Sequence, residues 1–341
     1  MKQDRYLITR IDRIGDVVLS TPLPREIKKN NPDCFVSVLV KYQTKDVYLN
    51  NPWVDKIIIY DNPDRTNKPF WELVKEIRAE KFSHGFMLLP DERLNYALLF
   101  AGIKNRIGVG HKLYQFLTFT KFVDRKKYIP LRHEADYCLD MLRKLNIPVN
   151  NIYPEIFLTE KETEQALEIK KRLKENGKII IGVHTTSGNS SPNLSLNTYK
   201  KLIELLVRKT NYEVLITDFN PPSEVRDITG AKYIFDGSSL RSDIIKFSIL
   251  DVLISNSTGP MHICAALKVP TFSVFCPLTA CSKELWGPLG NKSYVLLPEK
   301  KYCETHCPID PKKCDYSKPG GLQAEQVFNE LNKFVDSLFQ L

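Results

Sequence analysis

Residues 8–29, ITRIDRIGDVVLSTPLPREIKK, set the reading of the whole chain. An apolar run over 6–11, interrupted by Thr9 and Arg10, leads to Gly15 and then to Val17, Val18, Leu19, Leu23 and Ile27 at helical spacing. The stretch therefore reads as strand, turn and helix, the opening of a βαβ unit. Its charges gather where the strand ends, and open α/β sheets place ligands at the carboxyl ends of their strands. Gly15 is expected to adopt a backbone conformation closed to other residues, which puts Asp16 at or near the first turn of the helix. An aspartate alone there reads as a helix cap. Arg10 and Arg13 change that reading, because a cap needs no arginines, whereas a carboxylate among cations that receive an anionic substrate suits a general base. Arginines lower the pKa of such a carboxylate and desolvation raises it; the sequence leaves that balance open.

Working outward, residues 35–40 (FVSVLV), 56–60 (KIIIY) and 86–89 (FMLL) read as strands, with an amphipathic helix over 69–81 before the last of them and a further helix over 95–101 after it. The segment 148–165 carries two prolines and little periodicity, which marks a domain boundary. The alternation then restarts: strands over 178–183, 213–217, 252–255 and 271–275 are interleaved with helices over 197–209, 223–229, 241–249 and 261–267. Apolar residues at helical spacing from Leu322 to Leu338 predict a closing packing helix. The expected organisation is α/β: two Rossmann-like, doubly wound parallel-sheet domains facing a cleft, over residues 1–160 and 161–320, followed by a packing helix over 321–341.

A second polar turn stands out in SNSTGPMHICAALKVPTFSVFCP, residues 255–277. A strand ends in Asn256, Ser257, Thr258, Gly259 and Pro260 and opens a helix, with Pro260 suited to the first turn. Free amides at that helix start, joined by the hydroxyls of Ser257 and Thr258, suit a pyrophosphate.

Composition narrows the classes. Hydrophobic residues at 43% and charged residues at 26% exclude a disordered chain. No apolar run approaches the roughly 20 residues of a membrane span. The N-terminal residues lack a signal-peptide pattern, so the expected location is cytoplasmic, with any membrane met from the side. The net charge of +9 favours anionic partners. Basic and aromatic residues are not interleaved on any one segment, which argues against nucleic acid. Of the eight cysteines, Cys276, Cys281, Cys303, Cys307 and Cys314 cluster late. The last three are spaced C-x3-C-x6-C with His306 between them, which fits neither a zinc knuckle nor a ferredoxin run; a loop with free thiols is the favoured reading over a metal site.

Taken together, R-x-x-R-I-G-D-V-V-L-S-T-P early and S-N-S-T-G-P-M-H-I-C-A-A-L-K-V-P late resemble glycosyltransferase family 9, whose best-known members are the ADP-heptose:lipopolysaccharide heptosyltransferases. The segments KNRIG (104–108) and GVHTT (182–186) resemble further family segments. The resemblance implies the GT-B architecture, with the acceptor bound mainly by the first domain and the nucleotide sugar by the second. It also implies inverting, metal-independent transfer of a sugar, heptose from ADP-heptose in the best-known members, to a lipopolysaccharide core or related glycan at the cytoplasmic face of the inner membrane, with no cofactor. By resemblance, Asp16 is the base that deprotonates the acceptor hydroxyl. Thr185 and Thr186 form a donor-binding pair, Glu224 grips the ribose, Thr258 and Gly259 hold the diphosphate, and His262 contacts the donor, while Ser257 is a donor-side candidate from its hydroxyl at the same turn. Arg10, Arg13 and Arg106 are the acceptor-side candidates. Two departures matter: residues 187–193 carry no cation where many members have a lysine, and Ser257 stands where an acidic residue is common. Both positions touch the donor in heptosyltransferases, so the donor sugar stays open. The competing readings are a nucleotide-sugar epimerase or hydrolase of the same fold and a non-enzymatic basic nucleotide-binding protein.

Overall fold

A computed structural model describes residues 3–174, 177–189, 191–308, 310 and 313–340 of the chain. The polypeptide divides into two compact units, residues 1–157 and 158–341.

The first unit runs β1 (Arg5–Arg10), α1 (Ile14–Leu19), α2 (Pro22–Asn30), β2 (Phe35–Val40), β3 (Lys56–Ile59), α3 (Phe70–Ala79), β4 (His84–Met87), α4 (Glu92–Phe100), β5 (Asn105–Val109), α5 (Leu113–Leu117), β6 (Lys121–Val123), α6 (Glu134–Cys138) and α7 (Asp140–Arg143). The second runs α8 (Glu160–Leu173), β7 (Ile179–Val183), α9 (Leu196–Val207), β8 (Tyr212–Ile216), β9 (Ala231–Lys232), α10 (Leu240–Ser248), β10 (Val252–Asn256), α11 (Gly259–Ala266), β11 (Thr271–Val274), α12 (Lys283–Trp286), β12 (Ser293–Leu296), α13 (Lys300–His306) and α14 (Ala324–Phe339).

Each unit holds one six-stranded sheet, ordered β3-β2-β1-β4-β5-β6 in the first and β12-β11-β10-β7-β8-β9 in the second. All the strand pairs are parallel, so the connecting segments must cross over the sheet faces. Within each unit the chain winds one way from its first strand and then the other. The reversal falls between β1 and β4, where Thr9 pairs with Met87, and between β7 and β10, where Val183 pairs with Ile254. Such a reversal splays the two loops that leave the adjacent strands and opens a crevice for ligands.

The β-branched strands supply the cores. Leu7, Leu39 and Ile58 pack against Leu73 and Ile77 of α3 and Leu94 and Leu98 of α4. In the second unit, Ile181, Val183 and Ile254 pack against Tyr199, Leu202 and Leu206 of α9 and Val327, Leu331 and Val335 of α14. Burying a side chain of this kind stabilises by about 1.5–3 kcal/mol, so both switch points rest on rigid walls.

The alternation of strand and helix follows the sequence reading, but the sheets hold twelve strands rather than eight. The four unread strands, β5, β6, β9 and β12, are short or carry Asn105, Arg106, Lys121, Lys232 and Ser293. Three of them, β6, β9 and β12, are edge strands, where polar residues guard against further pairing, and β5 lies beside one. Residues 223–229 form only one 3-10 turn, Ser223–Val225, because Pro221 and Pro222 precede it and Asp227 takes a left-handed φ of 60°. Gly15 also departs from expectation. It is the second residue of α1, buried and helical, and its φ is not positive.

Candidate active site

At the switch point of the first unit, β1 ends on Arg10, which is only 3% exposed. Its Nη2 donates to Asp16 Oδ1 at 2.8 Å, its Nε to Asp12 Oδ1 at 2.8 Å, and its Nη1 to Glu134 Oε1 at 3.1 Å. Glu134 opens α6 and is wholly buried; it also accepts from Arg125 Nη1 at 2.6 Å and Nη2 at 2.9 Å. Three carboxylates thus share two guanidinium groups. Asp16 is the third residue of α1, whose N-cap is Arg13, and no side chain caps that helix. The cap reading of Asp16 therefore does not hold. Burial pushes the Asp16 carboxyl up to about 6, against the pull of Arg10 and reinforced by Asp12 and Glu134. Desolvation wins the contest that the sequence left open. Arg13 is exposed beside this cluster.

Arg106 is placed differently from the expectation. It is buried in β5 and donates through Nη1 to Ile103 O and through Nη2 to Thr118 O, so it braces the main chain around α5. Both terminal nitrogens of this acceptor-side candidate are engaged with backbone carbonyls.

At the switch point of the second unit, β7 continues into His184, Thr185 and Thr186. Asp218, one residue beyond Thr217, holds this loop with both oxygens. Oδ2 accepts from the Thr185 amide at 2.8 Å and hydroxyl at 3.0 Å, and Oδ1 from the Thr186 amide at 3.1 Å and hydroxyl at 2.7 Å. Burial lowers the pKa of His184 against the pull of Asp218, and its Nδ1 lies 2.9 Å from Thr217 Oγ1 in a hydrogen bond. A second network ties this loop to the one leaving β10. Asn193 Nδ2 donates to Thr185 O at 2.7 Å, Tyr199 OH donates to Asn256 Oδ1 at 2.6 Å and to Asn193 Oδ1 at 3.1 Å, and Ser191 Oγ donates to Ser257 O at 3.0 Å. Thr185, Thr186, Ser257 and Thr258 are therefore brought into one braced pair of loops.

Thr258 is the N-cap of α11, extended at φ −144°, with Gly259 and Pro260 as the first helical residues. It makes no side-chain cap bond, and its buried Oγ1 has no hydrogen-bond partner among the described residues. A buried hydroxyl without a partner costs about 1–3 kcal/mol, and this one stands at a helix start that attracts anions. His262 lies one turn along α11 and is buried. Glu224 stands apart. It is exposed on its 3-10 turn, accepts from Ser223 Oγ at 2.9 Å, and faces a groove lined by Lys200, Glu204, Arg208 and Asp227, with none of the other donor-side candidates. Arg241 is clamped on Glu162, with Nε to Oε1 at 2.7 Å and Nη2 to Oε2 at 2.6 Å.

Four of the late cysteines, Cys276, Cys303, Cys307 and Cys314, line a single cavity of about 10 Å³. All eight thiols are free. Among the described residues no three His, Cys, Asp or Glu side chains are arranged to hold a metal ion. Ile309, Pro311 and Lys312 of this stretch, and Ser190 of the loop after β7, lie outside the described residues.

The sequence model of glycosyltransferase family 9 (heptosyltransferase) matches residues 70–312. The chain belongs to glycosyltransferase family 9. It is thus a glycosyltransferase, as the paired motifs implied. A predicted glycosyltransferase of Haemophilus influenzae is 28% identical over 305 residues, covering 84% of this chain and 87% of the relative. Lipopolysaccharide heptosyltransferase 1 of Campylobacter coli is 22% identical over 291 residues, covering 80% and 83%. Among solved structures, the family 9 glycosyl transferase of Veillonella parvula superposes with a TM-score of 0.80 at 23% identity over 99% of both chains. The Escherichia coli ADP-heptose lipopolysaccharide heptosyltransferase II superposes at 0.72 and 16% identity over 98% of this chain and 99% of that one. At these identities the structures speak to the fold, which is the two-domain α/β architecture expected of the family.

Proposed function

We propose that the protein transfers a sugar, with inversion, from a nucleotide sugar to a lipopolysaccharide core or related glycan at the cytoplasmic face of the inner membrane. ADP-heptose is the favoured donor, since the Campylobacter coli relative is a lipopolysaccharide heptosyltransferase and the Escherichia coli structure is an ADP-heptose one. The observation that carries the reading is Asp16: a half-buried carboxylate poised at about 6 and oriented by Arg10. At neutral pH it is ionised yet basic enough to take a proton.

In the proposed step, Asp16 takes the proton of the acceptor hydroxyl as that oxygen attacks the anomeric carbon. The bond from that carbon to the diphosphate oxygen breaks, and the leaving diphosphate carries away the electron pair. The amides at the start of α11 and the Thr258 hydroxyl stabilise the charge it develops. Counter-charge of this fixed kind serves without a divalent cation, so chelation with EDTA is expected to leave turnover unchanged. Arg13, exposed beside the base, suits an anionic group of the acceptor.

The test pairs two measurements. Asp16→Asn is expected to lower kcat by about 100-fold or more, while ADP still raises the thermal midpoint of the variant. Turnover that survives the substitution removes Asp16 from the chemistry. A midpoint that responds to no nucleotide or nucleotide sugar overturns the donor assignment.

A further inference from the structure

The hairpin of α5 and β6 is built inside out. Along residues 113–120 the uncharged polar side chains of Gln115, Thr118 and Thr120 are buried and the apolar ones face water: Gln115 is 2% and Thr118 1% exposed, while Phe116 is 79% and Phe119 87% exposed. Leu113, Leu117 and Phe122 are also exposed. This arrangement is fastened in place. Gln115 Nε2 donates to Val109 O at 3.0 Å and its Oε1 accepts from the Lys112 amide at 2.9 Å. Asn95 Nδ2 donates to Thr118 Oγ1 at 2.6 Å, and Arg106 holds Thr118 O. The polar inner face locks the backbone, so the rings are held outward.

A groove of about 650 Å³ runs among Phe116, Phe119 and Phe122, and its other walls include His111, Lys112, Lys121 and Lys144. No carboxylate is among the described residues that line it. Phe122 sits 4.0 Å from the His111 ring, with Lys144 Nζ 5.8 Å from its centroid. Asp124 is engaged with His111 at 3.5 Å and with the Lys126 amide at 2.7 Å. An exposed apolar patch of this kind marks an interaction surface. A second copy or a protein partner would match the rings, but neither requires three lysines with no carboxylate among the described lining residues. An anionic bilayer matches both, because aromatic side chains enter the headgroup and acyl boundary while lysines meet phosphates at its surface.

We infer that the α5–β6 hairpin docks the protein on an anionic lipid surface, with Phe116 and Phe119 inserted and Lys112, Lys121 and Lys144 on headgroup phosphates. For its purpose this rests on the membrane-side acceptor proposed above; the docking is tested without donor or acceptor, so either can fail alone. The full chain is sedimented with vesicles of phosphatidylcholine containing 30% phosphatidylglycerol and with pure phosphatidylcholine. Binding is expected to the anionic vesicles, to weaken with added salt, and to fall about tenfold in Phe116→Ser/Phe119→Ser and in Lys121→Glu/Lys144→Glu. Both variants are expected to keep the wild-type thermal midpoint and its rise with ADP, which shows them folded. Absence of vesicle binding, or binding that both folded variants retain, overturns the inference. So does a wild-type dimer in light scattering that Phe116→Ser/Phe119→Ser dissolves while vesicle binding is unchanged, since the occupant is then a second copy.

Discussion

At the scale of the residue, the cluster around Arg10 explains how one carboxylate becomes basic among cations. Burial raises the Asp16 pKa, Arg10 opposes it, and Asp12 and Glu134 add to it. Glu134 neutralises part of the Arg10 charge that would otherwise hold Asp16 ionised. Glu134→Gln removes a negative charge from beside Asp16 and frees Arg10 to favour its carboxylate. The acid limb of log kcat/KM against pH, expected near 6 in the wild type, should move to lower pH in this variant. A limb that stays in place or moves up would separate Glu134 from the tuning of the base. Arg10, Arg13 and Asp16 were legible because seven consecutive positions hold all three. Glu134 and Arg125 were not, since Glu134 lies 124 positions from Arg10 and opens an unremarkable helix. Arg106 shows the converse: a motif match says nothing about which atoms a guanidinium spends on the backbone.

At the scale of the element, function gathers on the loops that leave strands at the two points where the winding reverses. Asp218 was within reach of that rule, since it directly follows the strand EVLIT, but nothing local distinguishes it from a loop aspartate. Its four accepted bonds fix the Thr185–Thr186 loop. Asp218→Ala is expected to destabilise by on the order of 3 kcal/mol, since the loop amides lose a buried charged partner, and to weaken ADP binding by about tenfold. Glu224→Ala is expected to leave both unchanged, because Glu224 is exposed and outside that network. Calorimetric titration with ADP and chemical denaturation measure the pair, and an equal loss in Glu224→Ala would restore it to the donor site. Thr258 separates binding from stability more sharply. Thr258→Val keeps the shape and removes a hydroxyl that has no partner among the described residues. The free protein should hold or gain stability, while ADP affinity should fall several-fold; a stable variant with undiminished affinity would take the hydroxyl out of the phosphate site.

At the scale of the whole molecule, two sheets with the same winding order each carry their own core, and composition and periodicity were enough to find both. What periodicity missed were short strands with polar residues, which the sheet stabilises through backbone pairing rather than through side-chain burial. On this scaffold a half-buried, ionisable Asp16 has a global cost with a definite sign. Its pKa is about 6 in the folded protein against 3.8 for a free side chain, so the folded state holds the proton more tightly than the unfolded one. Below about pH 4 both states are protonated and the group is neutral to folding. As pH rises from about 4 to 6 the unfolded state ionises first and gains, and above 6 the penalty is complete. Asp243, which burial also pushes up to about 6, contributes the same slope to wild type and variant and cancels in their difference. Asp16→Asn is therefore expected to be more stable than wild type at pH 7, by on the order of 1–3 kcal/mol, with the gap closing toward pH 4. Denaturant midpoints across that range measure it. A variant less stable at pH 7 would mean that the carboxylate serves chiefly to hold Arg10, and the case for Asp16 as a strained base would fall with it.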